Sequence, residues 1–288
     1  MKVSESVAPK SSPRVVRVGM AQLLVEGGEP ERNFARATEL VVQAAASGCD
    51  LVLLPETIDF AWTHPSALTR AQEIPGPHSD IFSGLAADHG IFIGVGLSER
   101  RGLKNYNTAL LINPSGEIQL KYSKINLLEV EFPFYAVGDT LGVAHTTLGC
   151  IGVNICADNY LESVHIGKTL ACMGAEIILA PSSWTVPHHV DETQDPYRDK
   201  WLRPLKQIAY YYDTVMVSAT GVGYIVGGPY EGRKMVGRSL AVGPGGILAE
   251  GQFNEFAGEL VAFDIPLPGR TLKGTQLGDN ARQKGYVF

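Results

Sequence analysis

From Arg14 onward the chain alternates strand-like with helix-like segments, and hairpins break this alternation at intervals, which confines it to a layered α/β fold. Residues 15–22 are rich in β-branched side chains. Residues 33–46 carry apolar side chains at helical spacing until Ser47-Gly48. A second strand at 50–55, a helix at 79–89 closed by Gly90, and a third strand at 91–97 repeat the unit. Pro114-Ser115-Gly116 then joins two runs as a hairpin, and Gly149 joins two more. A helix with Glu162 near its start and Gly174 after its end leads to a strand at 175–180, followed by a helix from about 197 to 212 and a strand at 214–219. Helices alternating with mixed strands in both halves predict an α/β fold in the form of a four-layer α-β-β-α sandwich with mixed sheets.

With 288 residues, 45% of them hydrophobic, the chain can bury one large core, and no Pro-, Ser- or charge-rich linker divides it. The reading is a flexible polar arm over residues 1–13 and one domain over 14–288. A formal net charge of −6 speaks against nucleic acid or an anionic membrane as a partner, since both call for a basic face. No apolar run approaches the roughly 20 residues that cross a bilayer. Four cysteines without Cys-x-x-Cys spacing read as free thiols in a reducing compartment, so the expected location is cytoplasmic. No metal is expected, because the His188-His189 pair lacks a matching ligand set, and no glycine-rich segment has the pattern of a cofactor loop.

Three strand-like runs end on chemically capable residues: Leu51-Val52-Leu53-Leu54-Pro55 leads to Glu56, Leu120-Lys121-Tyr122-Ser123 to Lys124, and Ile151-Gly152-Val153-Asn154-Ile155 to Cys156. Open α/β layers build their sites at the carboxyl ends of strands. A carboxylate, an ammonium and a thiol together suit nucleophilic acyl transfer. Each residue also has an ordinary reading: Glu56 as a surface acid, Cys156 as a small buried hydrophobe, and Lys124 as a solvated lysine no different from Lys121. If Cys156 opens a helix, the helix dipole and a nearby lysine would favour its thiolate.

Leu53-Leu54-Pro55-Glu56, Tyr122-Ser123-Lys124-Ile125-Asn126-Leu127 and Gly152-Val153-Asn154-Ile155-Cys156-Ala157-Asp158, in this order, resemble the nitrilase or carbon–nitrogen hydrolase superfamily. The resemblance runs from about Val15 to Ile265 and includes Ala180-Pro181-Ser182-Ser183-Trp184. It implies a Glu56-Lys124-Cys156 triad and so selects Lys124 over Lys121. It also implies a second glutamate a short distance before a Gly-Asp pair. Glu131, seven positions before Gly138, fits better than Glu129.

By this resemblance the Cys156 thiol attacks a small linear amide or N-carbamoyl compound, Glu56 handles the protons, and a thioester forms and is hydrolysed. Lys124 and the backbone N–H of Ala157 are the candidates to hold the oxyanion, and Glu131 would orient Lys124 or the substrate amino group. Trp184, Trp62 and the loop from 185 to 199 are the expected substrate-binding features. Residues 206–212, Lys-Gln-Ile-Ala-Tyr-Tyr-Tyr, depart from the family's Arg-Ala-x-Glu-Asn stretch. Two alternatives stand beside this reading. One is a nitrilase acting on a small nitrile, although nitrilases resemble Cys-Trp-Glu where this chain has Cys156-Ala157-Asp158. The other is a non-catalytic scaffold of the same fold. The resemblance also implies a homodimer or a higher homo-oligomer.

Overall fold

The structure, a computed structural model, describes residues 14–191, 197–253, 258–267, 269 and 272–287. The arm expected over 1–13 lies outside the described residues. The first half contains β1 (Arg14–Leu24), α1 (Pro30–Ala46), β2 (Leu51–Leu53), α2 (Ala67–Arg70), α3 (Pro77–His89), β3 (Phe92–Arg101), β4 (Lys104–Ile112) and β5 (Ile118–Ser123). The second half contains β6 (Val143–Thr146), β7 (Gly149–Val153), α4 (His165–Met173), β8 (Ile177–Ser182), β9 (Thr185–Val186), α5 (Arg198–Tyr212), β10 (Val215–Tyr224), β11 (Lys234–Val236), β12 (Leu240–Gly243), β13 (Gly246–Glu250), β14 (Glu259–Leu267) and α6 (Thr275–Gln283).

One sheet runs β5-β4-β3-β2-β1-β14 and the other β6-β7-β8-β10-β12-β13. They join where the end of β1 pairs with β10, Leu23 against Gly221 and Leu24 against Val222, so that one continuous 14-stranded sheet folds back on itself. The pattern of burial explains the layers. Val18, Met20, Leu53 and Leu111 face Ile151, Val153, Ile177 and Leu179 across the interior. Val52, Leu54, Ile93 and Val95 point the other way onto Phe34, Val41 and Ala44 of α1 and Phe82 and Ala86 of α3. Ile166 and Leu170 of α4, with Leu205 and Ile208 of α5, cover the outer face of the second sheet. Each such fully buried aliphatic side chain contributes about 1.5–3 kcal/mol relative to exposure. This is the α-β-β-α sandwich with mixed sheets that the alternation predicts.

Strand direction then locates the functional end. β2 is parallel to β1 and β3, and β5 regains that direction through two antiparallel pairings by way of β4. β7 is parallel to β8, β8 to β10, and β10 to β1. The carboxyl ends of β2, β5 and β7 therefore all open at the same end of the sandwich, although they belong to two sheets. Among the described residues no helix is long and apolar enough to cross a membrane.

The helix expected to begin near Glu162 starts later. After Cys156 the chain makes two short 3-10 turns, Cys156–Asn159 and Leu161–Ser163, separated by extended Tyr160, and α4 begins only at His165. Side chains hold the first turn closed. The Asn154 and Asn159 amides bond each other at 2.8 and 2.9 Å, and the Ile155 N–H donates to the Asp158 carboxylate at 2.9 Å.

Candidate active site

Glu56 lies three residues beyond β2, Lys124 directly after β5, and Cys156 three residues beyond β7. Two glycines permit the close approaches this needs. A Cβ on Gly96 would lie 2.7 Å from the Glu56 Cα. Gly138 donates its N–H to the Lys124 carbonyl at 2.8 Å, and its own Cβ position is filled by the Ser123 carbonyl. The Gly-Asp pair after Glu131 thus packs against the backbone of the Lys124 segment.

Lys124 is fully buried between two carboxylates. Its Nζ donates to Glu56 Oε1 at 3.0 Å and to Glu131 Oε1 and Oε2 at 2.9 and 2.8 Å. Asn107, on β4, donates to Glu56 Oε1 at 2.6 Å, and the Leu128 N–H donates to Glu131 Oε2 at 2.8 Å. The geometry therefore places Glu131, not exposed Glu129, on the lysine. Lys121 is engaged elsewhere, bonding Glu99 at 2.6 Å. One atom of this cluster is left over: Glu56 Oε2 is buried and accepts no hydrogen bond. Burial pushes the Glu56 carboxyl up, and Glu131 adds to the rise, while Lys124 and Asn107 oppose it. Burial alone would disfavour the ammonium of Lys124, yet the two glutamates hold its pKa well above the ordinary value.

Cys156 sits at φ 42°, in the left-handed region that non-glycine residues seldom enter. This strained turn projects the thiol from the end of β7 into the site, and such strain persists only where the surroundings hold it, here the Asn154–Asn159 pair and Asp158. The expectation of a favoured thiolate is corrected. Burial pushes the thiol pKa well up, the Glu56 charge raises it further, and Lys124 and the Ser183 N–H oppose these only in part. With a four-residue 3-10 turn in place of an α-helix at Cys156, no long helix dipole offsets the burial. Burial and the Glu56 charge both favour the protonated thiol, so attack by the sulphur calls for a proton acceptor.

A cavity of about 90 Å³ opens beside the thiol, walled by Trp62, Leu128, Cys156, Tyr160, Ser183 and Trp201 among others. Trp62 stands on this wall as the sequence suggests. Trp184 does not, because it lies behind Trp201, stacked on it at 4.7 Å and 9°. Ala157 follows the nucleophile and is buried in the same turn. Within the predicted 185–199 loop, Thr185 and Tyr197 reach the cavity, and residues 192–196 lie outside the described residues. Sequence reasoning missed Asn107, Asp158, Tyr160 and Trp201. Of these, Asp158 stands within the Cys156 motif and Trp201 is a large aromatic near the start of a predicted helix, while Asn107 and Tyr160 carried no local signal. Among the described residues no group of three or more His, Cys, Asp or Glu could hold a metal ion.

Comparison with known proteins places this geometry in context. The model of the family described as Carbon-nitrogen hydrolase matches residues 17–271. A protein named nitrilase from Pyrococcus abyssi is 32% identical over 80% of this chain and 82% of its own length. Deaminated glutathione amidase from Mus musculus is 29% identical over 75% of this chain and 68% of its own. Among solved structures, a double mutant of the amidase from Nesterenkonia sp. AN1 in complex with acrylamide superposes with a TM-score of 0.74 at 22% identity, covering 91% of this chain and 94% of that one. That likeness establishes the shared fold.

Proposed function

This chain belongs to the carbon-nitrogen hydrolase family, and from that premise we propose that it hydrolyses the C–N bond of a small linear amide or N-carbamoyl compound through a thioester on Cys156. The observation that carries the reading is the division of labour within Glu56: Oε1 is held by Lys124 and Asn107, and Oε2 is a buried acceptor with nothing to accept. A carboxyl and a thiol whose pKa values burial pushes up together suit the roles of proton acceptor and donor.

In this reading Glu56 Oε2 takes the proton as Cys156 Sγ attacks the carbonyl carbon. It then gives that proton to the departing ammonia or amine as the C–N bond breaks. Water enters, loses a proton to Glu56 and attacks the thioester, and the S–C bond breaks to return the thiol and release the acid. Lys124 Nζ and the Ala157 N–H stabilise the oxyanion, each donor lowering the barrier by about 3 kcal/mol. Glu131 anchors Lys124. The mouse relative is named an amidase and the Pyrococcus abyssi relative a nitrilase, and Ala157-Asp158 after Cys156, in place of Trp-Glu, favours an amide over a nitrile.

The same reading takes residues 14–288 as one domain and its working unit as a homodimer paired through the outer helices, to be tested by sedimentation. The four cysteines, free of disulfides, fit a cytoplasmic setting. Ammonia release from matched panels of amides, carbamoyl compounds and nitriles tests the proposal. Release from amides or carbamoyl compounds that is lost in Cys156→Ala is expected, and turnover confined to nitriles would overturn it.

A further inference from the structure

The segment that carries Glu56 is strained. Thr57 has φ 44°, Ala61 φ 68° and Thr63 φ 59°, all in the left-handed region. Such backbone persists only where its surroundings hold it, and the end of β3 does so here. The Gly96 N–H donates to the Pro55 carbonyl at 3.1 Å, and the Ile58 N–H donates to the Gly96 carbonyl at 3.0 Å. A side chain makes the next rung. Asp59 Oδ2 accepts the Ser98 N–H at 2.9 Å, and Oδ1 accepts the Phe60 N–H at 3.0 Å and the Ser98 hydroxyl at 3.2 Å. Ser98 has one hydroxyl proton to give, so its Oγ accepts from Tyr135 OH, also at 3.2 Å. Tyr135 follows Glu131 by one turn, and its N–H donates to the Glu131 carbonyl at 2.9 Å. Asp59, Ser98 and Tyr135 are all buried.

We infer that Asp59, Ser98 and Tyr135 form a chain of positioning residues that fixes Glu56 against Lys124 and Glu131 during the reaction. This rests on the amide reading above. None of the three lines the cavity beside Cys156, so they act through the carboxylates and not on the substrate. Ser98 is the hub. Across β3 and β4 it pairs with Asn107, whose side chain bonds Glu56 Oε1 and whose carbonyl accepts the Lys124 N–H at 2.8 Å. One point on β3 thus meets the Glu56 loop, the strand that anchors Lys124 and the segment of Glu131. His78 Nδ1 stands 3.5 Å from Asp59 Oδ2 without bonding it, and the Tyr135 phenol lies within electrostatic reach of Asp59, Glu131 and Glu56.

At Glu56 the facing groups are Lys124 and Asn107, which hold its pKa down, and Glu131, which raises it; Cys156 and Tyr135 also face it. Asp59→Asn leaves the Phe60 or the Ser98 N–H unbonded and releases the loop, which takes Glu56 away from Lys124 and Asn107. The acidic limb of kcat/KM against pH should therefore move to higher pH. With the reacting groups misplaced and the cavity kept, kcat for an amide should fall by about tenfold to hundredfold while KM changes by less than about threefold. Loss of the Asp59 charge alone, with the geometry kept, would move the limb down, so the sign separates positioning from electrostatics. Tyr135→Phe removes only the donor to Ser98, and its smaller loss in kcat should not multiply with that of Asp59→Asn. A limb that is unmoved or lowered in Asp59→Asn, or losses that multiply in the double variant, would overturn the inference. If Asp59→Asn does not fold, Ser98→Ala, which keeps the carboxylate and both of its backbone donors, is read in the same way. If no amide or carbamoyl compound is turned over, the amide reading falls separately, and an NMR titration of protein carrying isotope-labelled glutamate, with Glu56 assigned by Glu56→Gln, decides the positioning chain. A higher Glu56 midpoint in Asp59→Asn than in the parent upholds it, and an equal or lower one sinks it.

Discussion

Replacing Asp158 by asparagine should damage catalysis without touching any reacting atom. The carboxylate is fully buried and accepts four bonds: Oδ2 from Tyr122 OH at 2.7 Å and the Ile155 N–H at 2.9 Å, and Oδ1 from the Asn126 N–H and Nδ2, both at 2.9 Å. Tyr122 and Asn126 flank Lys124, and Ile155 precedes Cys156. One carboxylate therefore ties the nucleophile's turn to the lysine's segment. An asparagine amide must turn its NH2 toward one of these pairs. Tyr122 OH can reverse to accept from it, or the Asn126 amide can flip, but the Ile155 or Asn126 backbone N–H on that side stays unbonded. Losing one buried bond, about 1–3 kcal/mol, together with the charge assistance on the others gives a destabilisation of about 3 kcal/mol. At 2–4 °C per kcal/mol for a large domain, Tm should fall by roughly 6–12 °C. Misplacing a nucleophile by an ångström can lower rates on the order of a hundredfold. In assays well below the new Tm, kcat should therefore fall by about that factor while KM changes by less than about threefold. Thermal unfolding followed by steady-state kinetics reads both quantities. A variant with Tm within 2 °C and kcat within twofold of the parent would refute the coupling.

Other expectations follow from the same geometry. Glu131→Gln removes a charge that raises the Glu56 carboxyl, so the acidic limb of kcat/KM against pH should move to lower pH while kcat drops; a limb that moves upward would contradict this. In the intact enzyme that limb should lie above the ordinary carboxylate range, because Glu56 must lose its proton to act as base and burial raises its pKa. Cys156 should react slowly with iodoacetamide at neutral pH and faster as pH rises, and fast labelling near pH 6 would show that the thiol is not pushed up. Lys124→Met leaves two buried carboxylates without their cation, which should cost about 3–5 kcal/mol and abolish turnover, whereas Lys121→Met should retain activity.

The layers were legible because period-2 and helical patterns are strong where one face is buried, as in residues 33–46 and 50–55. Polar strand ends were not. The sequence pattern ends the third strand at Leu97, yet β3 reaches Arg101 and pairs through its polar end with β4, which starts at Lys104. Glu99 in that stretch is buried because Lys121 pairs with it from β5 and Arg101 from two residues along the same strand, and the compensation from Lys121 is long-range and hidden from local polarity. β14, which pairs with β1 from Arg14 to Gln22, was passed over, although Phe263, Ile265 and Leu267 alternate with polar or exposed positions. At the site, Glu56, Lys124, Glu131 and Cys156 were identified by motif order, which carries no geometry. The positive φ of Cys156, the bridging of Asp158 and the Trp184–Trp201–Tyr160 stack depend on segments that meet only in the folded chain.

The central claim is a covalent acyl group on Cys156. Acid quenching during turnover of an amide, followed by peptide mass analysis, should find the acyl increment on the peptide containing Cys156 and on none containing Cys49, Cys150 or Cys172 alone. Steady turnover with Cys156 unmodified, or undiminished activity in Cys156→Ala, would contradict it.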